Sequence, residues 1–509
     1  MIFPRSAGQL LHVTSLPSRF GRGDLGPAAR DFVTALSDAG QAFWQVLPLH
    51  PTLEKHQHSP YHATSAFAIN PLFISPEVMA DEGIIGRHQL TFLSEPPGTS
   101  AQKTMAFLVQ AARQNCCGTG DAAYEQFCST HQSWLDDYAL FAALSRDRGA
   151  DWSAWPPGIR DRDRDPAALM AWREKLCSAR EEEQYFQYLV FSQWGALREH
   201  ASCCGVRIIG DLPVYPAYES ADVWAHRDLF RLDRDGRPLA VAGVPPDYFS
   251  RTGQWWGNPV FAWEEMERQG FSWWVDRVSH ALSLGDIVRV DHFRGLVSAW
   301  EIPAGAATAA EGCWVTVPGR ALLSCLAARF PDLPLVAEDL GTITEEVRAL
   351  REAFGIPGMR VLQFGFDGDP ENPHAPGAIG EEVVLYTGTH DNNTIRGWFE
   401  EEIGPREKER IASALGGLPA PAAVSRELIS LALESSARVV IVPVQDLLGL
   451  SSRARMNRPG TTEGNWRWRL SPGEPGEEDW AWLSAVTCRS GRVENYTCMN
   501  GDSSLCRMT

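Results

Sequence analysis

Eight short apolar runs, most of them separated by helical stretches, predict an α/β chain folded as a (β/α)8 (TIM) barrel with inserted subdomains. Two observations carry this expectation. The runs are continuous rather than alternating, as parallel strands covered on both faces should be. Three of them lead into a carboxylate, and a barrel gathers such strand-end acids from distant sequence at one mouth.

The expected strands are residues 10–13, 43–47, 206–209, 287–290, 335–337, 361–364, 383–386 and 439–444, each rich in Val, Ile, Leu or aromatics. A helical stretch over 27–39 follows the first, with Pro27 at its start and Gly40 beyond its end. Another, 181–203, precedes the third strand, and a third, 344–354, follows the fifth. Roughly 160 residues part strands two and three, far more than a crossover needs. The segment 51–205 therefore reads as one or more insertions, with helical pattern over 133–144 and a Trp/Pro-rich loop over 152–157. A further insertion is expected over 215–260, after strand three. The whole chain, 1–509, reads as a single catalytic barrel domain. Beyond Leu483 no helical period is clear, and Cys488, Cys498 and Cys506 sit among Ser, Gly and Asn. A loosely ordered tail is expected over 484–509.

The formal charge of −18 disfavours nucleic acid, whose phosphates need a basic footprint. It leaves a neutral ligand such as a sugar open. The start, Met1-Ile2-Phe3-Pro4-Arg5-Ser6, lacks a basic segment followed by an apolar one, and no apolar run reaches membrane length. The 11 cysteines are odd in number and lack metal-type spacing, so reduced thiols and a cytoplasmic location are expected.

The chemistry concentrates where strands end. Asp291 closes Ile287-Val288-Arg289-Val290-Asp291, two residues after Arg289. An adjacent cation favours the ionised form of a carboxylate, which suits a nucleophile. Alone, the pair reads equally well as structural. Glu338 closes Leu335-Val336-Ala337-Glu338 and precedes Asp339. One carboxyl of such a pair can be buried and kept protonated, which suits a general acid. Alone, it reads better as part of a helix N-terminus. Asp391 follows His390 in Thr387-Gly388-Thr389-His390-Asp391, a pair suited to sugar hydroxyls and to balancing charge at an anomeric carbon. Asp211 ends strand three before Leu212-Pro213 and is placed to position a sugar, or else to make a turn. Acids at the ends of strands four, five and seven together point to glycosidic-bond chemistry. Loop tryptophans, as in Gly253-Gln254-Trp255-Trp256-Gly257-Asn258, offer flat faces for pyranose rings.

Other motifs fail. Gly21-Arg22-Gly23-Asp24-Leu25-Gly26 fits a dinucleotide fingerprint, but the next strand ends without the required acid. Asp233-Arg234-Asp235-Gly236 lacks the closing Glu of a calcium loop, having Val244 there. Neither a His-Glu nor a Gly-Lys pair occurs, so H-E-x-x-H and Walker A motifs are absent.

Longer runs go beyond generic chemistry. Leu11-His12-Val13-Thr14-Ser15, Ser59-Pro60-Tyr61, Gly243-Val244-Pro245-Pro246-Asp247-Tyr248-Phe249-Ser250 and Trp256-Gly257-Asn258-Pro259 occur in order. Arg289-Val290-Asp291-His292-Phe293-Arg294-Gly295, Ala337-Glu338-Asp339-Leu340-Gly341, Thr389-His390-Asp391-Asn392, Asn457-Arg458-Pro459-Gly460-Thr461 and Asn465-Trp466-Arg467-Trp468-Arg469 come after them. On these runs the chain resembles the 4-alpha-glucanotransferases of the amylomaltase (disproportionating enzyme) family, in the alpha-amylase clan. The resemblance implies a barrel acting on α-1,4-glucans such as maltooligosaccharides, starch or glycogen, with no metal or organic cofactor. It implies Asp291 as nucleophile, Glu338 as acid/base and Asp391 as transition-state stabiliser. It implies that Tyr61, Asp211, Trp256, Arg289 and His390 line the subsites, with Asp367 a further candidate beside Asp369. Tyr248 and Phe249 would lie on a mobile loop over the acceptor side. No C-terminal β-sandwich is expected, since about 65 residues follow strand eight. Two other readings remain at this point: a retaining hydrolase using the same residues with water, and a glucan-binding protein without catalysis. A debranching enzyme would need added domains.

Overall fold

A computed structural model describes residues 4–90, 101–115, 122–162, 165–246, 251–461 and 463–493. Eight parallel strands close into a barrel: β1 (Ser6–Leu10), β2 (Phe43–Gln45), β3 (Arg207–Leu212), β6 (Ile287–Val290), β9 (Leu335–Ala337), β10 (Gly358–Val361), β11 (Val383–Tyr386) and β12 (Val439–Pro443). Neighbours run in chain order around the ring, and β1 pairs with β12 to close it. Four more strands, β4 (Ala240–Val244), β5 (Gln254–Pro259), β7 (Ser298–Pro303) and β8 (Cys313–Thr316), form an antiparallel sheet in the order β5-β4-β7-β8. It joins the segment after β3 to the segment after β6, and β7 and β8 carry no signal that the sequence reading recognised.

Parity along each strand decides what faces the barrel axis, because successive side chains point to opposite faces. Ile209, Ile287, Val336, Met359, Val384 and Ile441 fill the interior, each at most 2% exposed. Stepping two residues on from Ile209 gives Asp211. Stepping from Ile287 gives Arg289 and then Asp291, and stepping from Val336 gives Glu338. The inward positions therefore change from apolar to charged at the C-terminal mouth. Register aligns them: Asp211 pairs with Arg289, and Val290 pairs with Ala337, so Asp291 and Glu338 leave their strands abreast.

Two strands sit away from their expected places. The first is Ser6–Leu10 rather than 10–13, and Val13–Ser15 forms a 3-10 turn. This strand hides from hydropathy because it is built of small and polar residues. A Cβ on Gly8 would lie 2.5 Å from the Phe43 Cβ, and Gln9 is fully buried against Gln41 (3.1 Å). The sixth is Gly358–Val361 rather than 361–364, and Leu362–Phe366 is again a 3-10 turn. Here the Asp339 carboxylate fills the space a Gly358 side chain would need and accepts the Met359 N–H (2.7 Å).

The expectation of a loose tail from 484 is corrected in its first part. Glu477–Arg489 is one helix, anchored by Leu483 and Val486, which are 0% and 1% exposed. Its apolar face is narrow, which conceals the period. Beyond it Arg492 is fully buried and donates to the carbonyls of Leu433, Ser6, Arg438 and Ser435, closing the barrel's floor. Residues 494–509 lie outside the described ones. The long helices Gln132–Arg148 and Cys177–Cys203 lie between β2 and β3. Among the described residues no helix is long and apolar enough to cross a membrane.

Candidate active site

Arg289 is the hub of the mouth. Its guanidinium donates to both carboxylate oxygens of Asp211 (2.8 and 2.9 Å) and contacts Asp291 at 3.0 Å. Asp211 and Arg289 side chains are 0% and 5% exposed. Burial pushes Asp211 upward, against the pull of Arg289. Burial likewise opposes the Arg289 charge, yet Asp211 and Asp291 together hold it above its ordinary value. Tyr61, from the segment between β2 and the first insertion helices, donates its hydroxyl to Asp211 (2.7 Å). Its ring stacks on His390, with centroids 5.0 Å apart.

Glu338 sits across from this cluster. Its Oε2 accepts the His292 N–H (2.7 Å) and its Oε1 accepts the Leu340 N–H (3.0 Å). The main chain between β6 and β9 extends the parallel ladder, with Glu338 N–H donating to Val290 and Phe293 N–H to Glu338, both at 3.0 Å. Residue His292 takes the left-handed conformation (φ 49°), which turns its N–H toward the Glu338 carboxyl. Burial pushes that carboxyl up to about 7; Arg289 opposes the shift and Asp291 adds to it, while the two N–H donors oppose it. The two abreast carboxyls therefore differ in environment: Asp291 touches a guanidinium, and Glu338 is buried on two amide donors.

Asp391 reaches the mouth differently. It lies five residues beyond β11, on a loop rather than at a strand end. Buried Asp446 spans that loop, accepting the Thr387 hydroxyl (2.9 Å) and the Ile395 N–H (2.7 Å). The Asp391 Oδ1 accepts a hydrogen bond from Asn457 Nδ2 (2.6 Å) and lies 3.3 Å from His390 Nε2.

The Trp256 ring is edge-on to His292, with centroids 4.8 Å apart, and its main chain hydrogen-bonds His62, next to Tyr61. Asp367 is exposed; its carboxylate accepts from Asp369 N–H (3.0 Å) and Asn372 (2.8 Å), and its contacts do not run to the three acids. Tyr248 and Phe249 lie outside the described residues. The sequence reading did not assign Arg455, Asn457 or Trp466, though the last two fall within its longer runs. Trp466 stands 6.0 Å from the Tyr61 ring and 5.9 Å from His390. Among the described residues no group of three or more His, Cys, Asp or Glu is arranged to hold a metal.

A family model described as 4-alpha-glucanotransferase matches residues 11–474. The chain is 46% identical over 468 residues to a 4-alpha-glucanotransferase of Aquifex aeolicus, covering 92% of this chain and 95% of that one. It is 45% identical over 513 residues to the 4-alpha-glucanotransferase of Thermus thermophilus, covering 97% and 100%. The solved amylomaltase from Streptococcus agalactiae, in complex with acarbose, matches with a TM-score of 0.91 at 33% identity, covering 96% of this chain and 100% of that one.

Proposed function

This chain belongs to the 4-alpha-glucanotransferase family, and we propose that Asp291, Glu338 and Asp391 divide its chemistry among them. The enzyme transfers a segment of an α-1,4-glucan to the 4-hydroxyl of another glucan or of glucose. Asp291 attacks the anomeric carbon while Glu338 protonates the leaving oxygen, and a glycosyl-enzyme forms. Glu338, now a base, takes the proton from the acceptor 4-hydroxyl, which displaces Asp291 and remakes the α-link. Two inversions give net retention, the outcome of carboxyls about 5 Å apart. Asp391 offsets the cationic charge that develops at the sugar ring in both steps.

The observation that carries this reading is the unlike environment of two abreast carboxyls. Burial raises Glu338 to about 7, so that a large share of it carries a proton near neutrality, as a general acid requires. Asp291 contacts the Arg289 guanidinium, as suits a nucleophile that must be anionic. Arg289, Asp211, Tyr61 and His390 form the wall on the nucleophile's side and hold the donor sugar. A general acid faces the leaving oxygen, and in this reading Trp256, whose ring meets that of His292 edge-on, lines the leaving-group and acceptor side.

The test is incubation of the purified protein with maltotriose, resolving products by chain length. Glucose together with a ladder of longer maltooligosaccharides is the expected result, abolished by Asp291→Asn. Glucose and maltose without longer products would make water the acceptor and overturn transfer as the main reaction.

A further inference from the structure

The loop that carries Asp391 has no strand ladder to hold it, and the Asp391 side chain is 46% exposed. One guanidinium compensates. Arg455, just past the 3-10 turn Ser452–Ala454, donates to the main-chain carbonyl of Asp391 (2.6 Å). The same side chain donates through Nε to the carbonyl of Asn457 (2.8 Å), the residue whose amide holds the Asp391 carboxylate. The Asn457 N–H in turn donates to the His390 carbonyl (3.1 Å). Backbone and carboxylate of Asp391 are thus both referred to Arg455.

Arg455 is itself fixed by Glu402, at 3.1 Å. Glu402 closes a π-helical turn, Trp398–Glu402, which continues the short helix Ile395–Gly397 that follows the Asp391 loop. A π turn inserts an extra residue into a helix and re-aims the side chains beyond it, a device common beside functional sites. Glu402 also accepts from Asn393 (2.9 Å), whose amide reaches Ser452 (2.9 Å), so the two segments are stitched together at both ends. As an ion pair alone, with side chains 17% and 40% exposed, Arg455–Glu402 would contribute little.

We propose that Arg455, held by Glu402, is a positioning residue for Asp391, setting the angle at which its carboxylate meets the donor sugar. This rests on the role assigned above to Asp391. Arg455 touches no reacting atom, and its effect is geometric: misplacement by about 1 Å at such a site can cost on the order of a hundredfold in rate.

The test compares Arg455→Ala, Arg455→Lys and Glu402→Gln on maltotriose and on an α-maltosyl fluoride, whose leaving group needs no proton. We expect kcat to fall about a hundredfold for Arg455→Ala, about tenfold for Arg455→Lys and a few-fold for Glu402→Gln, on both donors alike. Glu338→Gln, by contrast, should recover kcat/KM on the fluoride, because that parameter reports the first step, in which the fluoride leaves without a proton. Introduced into Asp391→Asn, Arg455→Ala should add less than twofold, because it acts through the group already removed. If Arg455→Ala leaves kcat within twofold, or keeps its full effect without Asp391, the proposal is overturned. Should Arg455→Ala fail to fold, Arg455→Lys and Glu402→Gln carry the test, and unchanged kcat in both overturns it. An Asp391→Asn variant that keeps its activity would remove the Asp391 assignment itself, and this proposal with it.

Discussion

Titrating Glu338 gives the sharpest check on the division of labour between the acids. An ordinary glutamic acid, at about 4.3, would be roughly 0.2% protonated at pH 7. At about 7, Glu338 is half protonated there, some 250-fold more acid at the pH where it works. Its acid form falls from roughly 90% at pH 6 to roughly 1% at pH 9. For a natural glucan, whose leaving oxygen must take a proton, kcat/KM should therefore drop by close to two orders of magnitude across that range, with its bend near 7. The assay is initial rates on maltotriose beside rates on an α-maltosyl fluoride. Because kcat/KM reports the first chemical step, the fluoride should lose the basic limb. A limb that persists on the fluoride, or no limb between pH 6 and 9, would refute the assignment. The same shift bears on stability with a definite sign. The folded value lies above the unfolded one, so the folded chain binds more protons between about 4.3 and 7. Stability should fall by up to on the order of 3 kcal/mol as pH rises through that window, and then level off as far as Glu338 is concerned.

Three further outcomes rest on contacts at the mouth. Asp211→Asn leaves buried Arg289 with Asp291 as its one remaining carboxylate in the cluster, and should destabilise the fold by about 3–5 kcal/mol, read as a lowered thermal midpoint; a midpoint within a degree of the parent would count against the hub. Asn457→Ala removes a 2.6 Å donor to a carboxylate, worth about 1.5–3 kcal/mol, so kcat should fall by roughly ten- to a hundredfold with the melting point nearly unmoved. Trp256→Ala should raise KM for a glucose acceptor about tenfold, the equivalent of about 1.4 kcal/mol of stacking, while kcat/KM on the fluoride donor changes little. Equal losses for donor and acceptor would move Trp256 off the acceptor side.

The barrel was legible because parallel strands covered on both faces must be continuously apolar, and strands such as Ile287–Val290, Leu335–Ala337 and Val383–Tyr386 obey that rule. It failed at Ser6–Leu10 and Gly358–Val361, where close packing demands Gly and small or polar residues and the apolar signal moves into the following turn. The antiparallel strand Ser298–Pro303 escaped because it joins a sheet through Ala240–Gly243, far earlier in the chain, and the edge strand Cys313–Thr316 is carried by Ser298–Glu301 alone; hydropathy does not encode a partner.

For the site, the sequence by itself determined the residue types and their strand parity. A carboxylate two or four residues past an inward apolar position must face the mouth, and that alone places Asp211, Asp291 and Glu338. What only the tertiary structure decided is environment and support. Which carboxyl is buried on amide donors and which meets a guanidinium depends on the pairing of β3, β6 and β9, which brings Arg289 against Asp211 while Glu338 turns to His292. Asp391 depends more heavily still on distant chain, since a loop without a ladder takes its geometry from Asn457, Arg455 and Asp446, some 60 residues on. Protonation and orientation are properties of neighbours in space, and those neighbours exist only once the barrel has closed.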